Sequence, residues 1–342
     1  MAIQRKIVSA DALDFDTPGR RDYYVRFEHP TKWGDYLVPV TVCVGREARD
    51  GRGVLAIGAT HGNEYEGPVA IKHLLHELDV ERVRGRLIFV PTLNVPAFNA
   101  DKRDTPDDGV NLNRAFPGDA RGSITYRFAH FVSSALFPRV HVVLDIHSGG
   151  QVSRFPPITS FHHVEDRAQR GAMEHAARGF GTRFTMVYQN KTHGLLTSMA
   201  ERLGKITIGS EFGWGNAVLT EGVSMARQGI LSAAIRHEQY AGALPENRHY
   251  ARADQLLVDN SEASCYVPAQ FSGHFEPTVL CGDLVKPKQQ IGFLHDFNHI
   301  DATPQEILAP HEGYVICQAW GAKVECGQVV SVVSIPIPWQ ER

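Results

Sequence analysis

The sequence lacks the features that mark several classes of protein. Its five cysteines form no Cys-x-x-Cys pair, and such an odd, dispersed set indicates reduced thiols rather than disulfides or a cysteine-ligated zinc. No uninterrupted apolar run approaches the ~20 residues that a membrane-spanning helix needs. No apolar stretch follows Arg5 and Lys6, so no signal peptide is visible. We therefore expect a cytoplasmic protein that does not cross a membrane.

An excess of charge of one sign is also missing. Lysine and arginine together number 35, aspartate and glutamate 38, and the formal net charge is −3. Because no stretch of the sequence is strongly basic, we expect no positive potential that would attract nucleic acid or an anionic membrane. Neither is therefore an expected partner. The abundant residue is histidine, with 17 in 342 residues. A histidine–carboxylate metal site is therefore the feature to look for.

The first 245 residues alternate apolar runs of β type with segments of helical periodicity. Such alternation predicts an α/β fold with a mostly parallel sheet and helices on both faces. The predicted strands are residues 36–44, 54–60, 86–91, 141–146, 184–188 and 205–210. The predicted helices are residues 69–78, 124–137, 167–180, 195–203 and 223–240, and His162 and His163 are expected to open the third of them.

The pattern changes after residue 240. Residues 246–262 show little periodicity and are predicted to connect two domains. From residue 263 to 342 the chain consists of short β-type runs separated by glycine and proline, with no convincing helix. The predicted organisation is an α/β domain over residues 1–245, a connector, and a small all-β domain at the C-terminus.

Polar residues follow four of the predicted strands. His61 and Glu64 come after strand 54–60, His147 after strand 141–146 and Glu211 after strand 205–210, while a long loop with arginines follows strand 86–91. In open α/β sheets, ligands bind outside the carboxyl ends of the strands. We therefore expect these side chains to meet at one edge of the sheet.

The His-x-x-Glu spacing of His61 and Glu64 allows both side chains to reach one cation, but spacing alone is weak evidence. Four histidines in this sequence have an acid three residues later, and about two such matches are expected by chance. Only His61 and Glu64 follow a predicted buried strand and flank Gly62. Because glycine has no side chain, the backbone and a metal ion can come close together at this position.

His147 is the candidate for a third ligand, because catalytic zinc sites combine three protein ligands with an open position for water. Gly149 and Gly150 leave space beside it, and Asp145 is placed to hold its second ring nitrogen. The alternative is that His147 is a core histidine paired with Asp145.

Glu211 is the candidate general base for a metal-bound water, and the alternative is an ordinary carboxylate at a strand end. Asn113 offers an amide group, and Arg114 offers a guanidinium that can form two parallel hydrogen bonds with a substrate carboxylate. Arg103 is a candidate to polarise the scissile carbonyl. The alternative for the arginines is pairing with acids of the same loop, which are Asp101, Asp104, Asp107 and Asp108.

Four strings of this sequence, in order, resemble the succinylglutamate desuccinylase/aspartoacylase family, a branch of the zinc carboxypeptidase-like fold. They are residues 61–67, 111–114, 145–150 and 210–213, and the likeness spans residues 20–335. The resemblance implies a mixed, mostly parallel sheet flanked by helices over residues 1–245. It also implies a small barrel-sandwich-like β domain over residues 263–342, similar to a biotinyl/lipoyl-type module without its Met-Lys tip.

The resemblance also implies roles for the candidate residues. Glu211 would be the general base, Asn113 and Arg114 would hold a substrate carboxylate, and Arg103 would polarise the carbonyl. The residues that would bind zinc, one ion per chain, are His61, Glu64 and His147.

The activity implied is that of a zinc-dependent amidohydrolase that deacylates a small N-acyl amino acid at a linear amide bond. Residues 65–68 and the tail are most similar to the N-acetyl-diaminobutyrate deacetylase subgroup, although no acidic partner for a substrate amine is evident and Glu66 is the one candidate. Two alternatives stay open, a zinc carboxypeptidase acting on peptides and a metal-binding protein without turnover. We also expect a homo-oligomer, because most oligomers of soluble proteins consist of identical subunits.

Overall fold

The computed structural model describes residues 6–29, 33–189, 192–247 and 249–340. This part of the chain contains nineteen strands and six α-helices. The strands are β1 (Ile7–Val8), β2 (Gly19–Glu28), β3 (Asp35–Val44), β4 (Val54–Gly58), β5 (Arg86–Val90), β6 (Val142–Ile146), β7 (Ser153–Arg154), β8 (Ile158–His162), β9 (Phe184–Tyr188), β10 (Ile206–Glu211), β11 (Leu256–Asp259), β12 (Tyr266–Pro268), β13 (Gly273–Pro277), β14 (Leu284–Val285), β15 (Gln290–His295), β16 (Gln305–Leu308), β17 (Gly313–Ala319), β18 (Lys323–Val324) and β19 (Val329–Ile337). The helices are α1 (Glu66–Glu77), α2 (Val95–Asn99), α3 (Ile124–Phe131), α4 (Arg167–Arg178), α5 (Leu196–Arg202) and α6 (Thr220–Arg236).

Most strands belong to one large mixed sheet, in the order β1-β2-β3-β5-β4-β6-β10-β8-β9-β11-β19-β17-β14. At its centre β5, β4, β6 and β10 run parallel, whereas β8 lies antiparallel to β10. Strands β4, β5 and β6 are buried at every position, as expected for parallel strands covered on both faces. The predicted mixed, mostly parallel sheet flanked by helices is confirmed.

Two apolar clusters fill the space between the sheet and its helices. On one face, α1, α4 and α6 contribute buried residues such as Ile71, Met173 and Ile230. On the other face, α3 and α5 contribute Phe128 and Leu196. Because the crossover helices return the chain to the same end of the sheet, the carboxyl ends of β4, β5, β6 and β10 meet at one edge.

The C-terminal part is built from antiparallel strands, also as predicted. Strands β16, β15, β13 and β18 form a second sheet, and its core includes Phe275, Ile291 and Val315. Strand β19 pairs with β17 and also with β11, which in turn pairs with β9. The large sheet therefore continues into the C-terminal part through β11, which lies inside the predicted connector. The domain boundary over residues 246–262 stays a proposal.

The prediction that His162 and His163 open a helix is wrong. His162 is the last residue of β8, and α4 begins at Arg167. The helix start is set by Asp166, whose side chain accepts hydrogen bonds from two backbone N–H groups of the first turn at 2.7 and 3.1 Å. Likewise, the predicted helix over residues 124–137 is regular only to Phe131, after which the backbone forms one π turn and one 3-10 turn.

Among the described residues, no helix combines the length and the apolar character needed to span a membrane.

Candidate active site

The three strands that precede the candidate ligands are neighbours in the sheet. His61 and Glu64 lie in the turn between β4 and α1, His147 follows β6, and Glu211 is the last residue of β10. Because β4, β6 and β10 are adjacent and parallel, these side chains reach the same edge. A Cβ at Gly62 would lie 2.0 Å from the backbone of α2, so the turn after β4 requires glycine there.

The side chains of His61, Glu64 and His147 form one buried group. Nδ1 of His61 lies 2.8 Å from Oε1 of Glu64, and Nδ1 of His147 lies 2.7 Å from Oε2. One candidate ligand atom from each residue lies within 4.8 Å of the other two. Two imidazole nitrogens and one carboxylate are the protein ligands of many catalytic zinc sites, so the donor set fits zinc.

The second ring nitrogen of each histidine also has a partner. Nε2 of His61 lies 3.1 Å from Oδ1 of Asn111, and Nε2 of His147 lies 2.8 Å from Oδ2 of Asp145. The other oxygen of Asp145 accepts a hydrogen bond of 2.7 Å from Thr60. Such outer partners fix which nitrogen faces a metal, and here they leave both Nδ1 atoms turned toward Glu64.

Burial and the neighbouring charges shift the pKa values of this group in opposite directions. Burial lowers the pKa of His61. Burial also acts to lower the pKa of His147, but Asp145 and Glu64 raise that pKa well above its usual value. Burial acts to raise the pKa of Glu64, yet the two histidines hold it far below its ordinary range. Glu64 is therefore ionised and presents a negative charge to a cation between the histidines.

Glu211 lies beside this group with a different electrostatic character. Its burial, together with the charge of Glu64, raises the pKa of Glu211 to about 8, although His147 and Arg103 act in the opposite direction. Its Oε2 atom is buried and has no hydrogen-bond partner among the residues that the structure describes. A carboxyl group with a pKa near neutrality and a free oxygen is suited to exchange protons.

A cavity of about 190 Å³ connects the buried group with Glu211 and the two arginines. Asn113 is partly committed to the protein, because its Oδ1 accepts a 2.8 Å hydrogen bond from the backbone N–H of Leu196 and its Nδ2 lies 3.3 Å from His147. The lining residues include His61, Arg103, Asn113, Arg114, Asp145, His147, Ser160, Tyr188, Thr192, Leu195, Thr197 and Glu211. All the predicted site residues except Glu64 therefore line one cavity, and Glu64 contacts three of the lining residues, which are His61, His147 and Arg103.

Among the described residues, Arg103 forms no hydrogen bond or ion pair with an acid of the long loop. Its guanidinium donates to Oε1 of Glu64 at 3.3 Å. Asp101 accepts hydrogen bonds from Tyr65 and from Asn216, whereas Asp107 accepts one from Tyr36. The oxygens of Asp108 are used by residues at the start of α3, which are Ser123 and Thr125.

Sequence reasoning missed part of the cavity wall. Ser160 and Tyr188 come from β8 and β9, Thr192 comes from the segment before α5, and Thr197 lies in the first turn of α5. No local motif marks these hydroxyl residues, since their placement depends on strand pairing. Glu66, the candidate partner for a substrate amine, binds Ser148 and the backbone of residue 219 with its two oxygens and is not part of the cavity lining.

Comparisons with known proteins show what the whole chain is similar to. The model of the succinylglutamate desuccinylase/aspartoacylase catalytic domain matches residues 50–235. Over 335 residues the chain is 32% identical to the N-alpha-acetyl-L-2,4-diaminobutyric acid deacetylase of Halomonas elongata, covering 97% of this chain and 96% of that protein.

Two solved structures are similar over nearly the whole chain. One is a succinylglutamate desuccinylase/aspartoacylase from Rhodobacter sphaeroides, with 34% identity, a TM-score of 0.89, and coverage of 95% of this chain and 98% of that chain. The other is the product-bound ectoine utilization protein EutE (DoeB) from Ruegeria pomeroyi, with 28% identity, a TM-score of 0.87 and the same coverage of both chains.

Proposed function

The chain belongs to the succinylglutamate desuccinylase/aspartoacylase family, and from this premise we propose that it is a zinc-dependent hydrolase that deacylates a small N-acyl amino acid. The observation that carries the proposal is the convergence of the His61–Glu64–His147 group, Glu211 and Arg114 on one small cavity. A ligand set, a proton acceptor and a carboxylate-binding cation are what hydrolysis of such an amide requires.

Metal binding and proton transfer are carried out by different residues in the proposed reaction. His61, Glu64 and His147 would hold the metal, which when bound supplies a Lewis acid for the carbonyl and lowers the pKa of water. Glu211 takes a proton from the attacking water and returns it to the leaving nitrogen as the amide C–N bond breaks. A pKa near 8 places Glu211 close to the range in which one group can accept and then release a proton.

The two arginines act on different parts of the substrate. Arg114, with the Nδ2 group of Asn113, holds the carboxylate of the amino acid, because a guanidinium forms paired hydrogen bonds with a carboxylate. Arg103 lies beside Glu64 and stabilises the oxygen on which negative charge develops. The products are the free amino acid and the acyl acid.

The small cavity favours a small substrate over a peptide. Its volume of about 190 Å³ is below the ~300–1,000 Å³ of pockets that enclose drug-sized ligands. N-acetyl-diaminobutyrate is the favoured substrate, because a deacetylase of that compound is similar to this chain over 97% of its length. A carboxypeptidase activity would need room for a longer chain beside Arg103.

The proposal is tested by measuring bound zinc and amine release with purified protein. The panel contains N-α-acetyl-L-2,4-diaminobutyrate, N-acetyl-L-aspartate, N-succinyl-L-glutamate and a peptide with a free C-terminus. We expect about one zinc per chain and the fastest turnover on the diaminobutyrate compound. Preferential peptide cleavage would favour the carboxypeptidase alternative, and bound zinc without any turnover would favour a binding protein.

The role of Glu211 is tested with Glu211→Gln, which keeps the shape and removes the proton acceptor. We expect kcat to fall by roughly 10²–10⁴-fold, the usual contribution of general acid–base catalysis, with zinc content unchanged. Glu221→Gln, at an exposed position in the first turn of α6, is the matched control and should leave kcat unchanged. Wild-type turnover in Glu211→Gln would refute the mechanism.

A further inference from the structure

Glu66, the first residue of α1, has a buried carboxylate that the proposed reaction does not use. An acid in the first turn of a helix is stabilised by the helix dipole even at the surface, so that role does not require burial. Glu66 is nevertheless 0% exposed. Burying a carboxylate costs free energy unless its oxygens are hydrogen-bonded, so the partners of Glu66 indicate what its burial achieves.

One oxygen of Glu66 binds the segment that follows β6. Oγ of Ser148 donates to Oε2 of Glu66, and the backbone N–H of the same serine donates to Oε2 of Glu64 at 3.1 Å. Ser148 is 4% exposed, so both hydrogen bonds are shielded from solvent. Ser148 therefore connects the carboxylate of Glu66 with that of Glu64, one of the proposed metal ligands.

The other oxygen of Glu66 binds the segment that follows β10. Oε1 accepts a hydrogen bond of 2.9 Å from the backbone N–H of Leu219, the residue before α6. The same oxygen lies against the backbone of Gly213, where an added Cβ would be 1.9 Å from it. Gly213 is two residues beyond Glu211, the proposed general base. One side chain therefore contacts the segments that follow His147 and Glu211.

These two segments are also bonded to each other. The backbone N–H of Phe212 donates to the carbonyl of His147 at 3.0 Å, and the N–H of Gly149 donates to the carbonyl of Gly213 at 2.7 Å. A displacement of one segment is therefore passed to the other. Because Glu66 belongs to α1, its two hydrogen bonds tie both segments to the helix that follows the turn of Glu64.

We propose that Glu66 is a positioning residue for the metal ligand Glu64, on which it acts through Ser148. Its hydrogen bond to the hydroxyl of Ser148 keeps the backbone N–H of that serine directed at Oε2 of Glu64. Such an outer partner orients a ligating carboxylate and raises metal affinity. Through Leu219, the same carboxylate holds the segment after Glu211 beside the site. The inference rests on the proposed zinc-dependent function.

The first experiment measures zinc affinity by competition with a chromogenic chelator, a readout that does not depend on turnover. Ser148→Ala removes the hydroxyl and keeps the backbone N–H, and we expect it to bind zinc about 10–100-fold more weakly than the wild type. Glu66→Ala should lose at least as much affinity. An unchanged affinity in Ser148→Ala would overturn the inference, even if Glu66→Ala fails to fold.

Glu66→Gln separates positioning from a simple effect of negative charge. The amide oxygen of glutamine can still accept from Leu219, and its amide nitrogen can still bond the hydroxyl of Ser148. We therefore expect Glu66→Gln to keep a zinc affinity close to that of the wild type. An equal loss in Glu66→Gln and Glu66→Ala would assign the effect to charge and would overturn the inference.

The double variant of Glu66→Ala with Ser148→Ala tests whether the two residues act in series. If Glu66 acts on Glu64 through Ser148, the double variant binds zinc no more weakly than Glu66→Ala alone. Two independent effects on stability would instead give losses that add, and additive losses would contradict the proposed connection.

Glu174 in α4 provides the matched control, because it is also 0% exposed. Its carboxylate accepts hydrogen bonds from Arg170 at 3.0 Å and from the backbone N–H of Gln340 at 2.6 Å, and it does not line the cavity. Glu174→Ala should lower the melting temperature and leave zinc affinity unchanged. If it weakened zinc binding as much as Glu66→Ala, general loss of stability would explain both, and the inference would fail.

The outcomes distinguish this inference from the proposed function. If the wild-type protein binds zinc and hydrolyses an N-acyl amino acid while Ser148→Ala binds zinc equally tightly, the function stands and the inference is overturned. If the wild type binds zinc but hydrolyses no N-acyl amino acid, the proposed function fails, and a weaker affinity in Ser148→Ala still supports the positioning role. If the wild type binds no zinc, both are overturned.

Discussion

At the scale of single residues, the outer partners of the two histidines orient the side chains that we propose as metal ligands. Asn111 and Asp145 occupy the Nε2 atoms of His61 and His147, and both Nδ1 atoms face Glu64 as a result. Asp145 has no freedom to turn away, because Thr60 holds its other oxygen. The geometry that we propose for metal binding is therefore fixed by the protein itself.

Asp145→Asn should weaken zinc binding without removing a ligand. An amide in place of the carboxylate no longer stabilises the proton on Nε2 of His147, and loss of such an outer partner costs about 10–100-fold in metal affinity. Competition with a chromogenic chelator measures this change. Asp104→Asn, at an exposed loop position, is the control, and an unchanged affinity in Asp145→Asn would contradict the outer-partner role.

Glu211 should make the metal-free protein sensitive to pH. Its pKa is raised to about 8 in the folded state, above the ordinary value of 4.5, so the unfolded chain ionises first as the pH rises. The stability contributed by the protonated group is fully present below pH 4.5 and is lost as the pH rises to about 8. Glu211→Gln should therefore melt higher than the wild type at pH 8 and equally at pH 4. A melting difference that does not change between these two pH values would argue against the raised pKa.

At the scale of secondary-structure elements, Gly194, just before α5, supports Arg114, the residue that we propose to bind the substrate carboxylate. Gly194 has a φ of +80°, and a Cβ at this position would lie 2.1 Å from the backbone oxygen of Arg114. The backbone N–H of Phe116 donates to the carbonyl of Gly194 at 3.1 Å. The short helical turn that carries Asn113 and Arg114 is thus seated directly on this segment.

Gly194→Ala should displace Arg114 and raise KM about tenfold or more, the expected cost of losing one charged hydrogen bond to the substrate carboxylate. Gly204→Ala is a matched control, because Gly204 has a similar φ of +72° but no atom within 4 Å of its added Cβ. Both variants carry the backbone strain of a left-handed alanine, so only the contact with Arg114 distinguishes them. Equal KM values in the two variants would show that the contact is unimportant.

At the scale of the whole molecule, the C-terminal strands contact the two segments that follow the lining residues His147 and Glu211. These segments, residues 148–154 and 212–216, are here called the rim of the cavity. Strand β17 pairs with β7, and the backbone N–H of Trp320, just after β17, donates to the carbonyl of Val152 at 2.9 Å. The indole of Trp320 also covers Gly215, where an added Cβ would lie 3.2 Å from its nitrogen. The segments that follow His147 and Glu211 are therefore braced from the C-terminal part.

Trp320→Ala should raise KM several-fold and leave zinc content unchanged, because it loosens the rim without touching a ligand. Steady-state kinetics and metal analysis of the purified variant measure both effects. Phe297→Ala removes an aromatic side chain that is 71% exposed in the loop between β15 and β16, and we expect it to behave like the wild type. An unaffected KM in Trp320→Ala would leave the C-terminal strands without a role at the rim.

Local patterns in the sequence predict the central sheet well and its flanks poorly. Strand β9 has the predicted bounds, and β4, β5, β6 and β10 agree within two residues, because each is a short apolar run between polar loops. Strand β8 was not predicted. Only its last residue, His162, was expected to begin a helix, although the pairing of residues 158–162 with β10 and β9 makes them a strand. Pairing partners distant in the chain decide such cases.

The sequence by itself determines which residues follow the central strands, and these are the candidate ligands, the candidate base and the loop arginines. It does so because a parallel α/β sheet brings all carboxyl ends to one edge, whatever the details of packing. Only the tertiary structure decides which residues complete the wall of the cavity. Ser160 and Tyr188 line it because β8 reverses direction beside β10 and pairs with β9, and no local signal encodes this register.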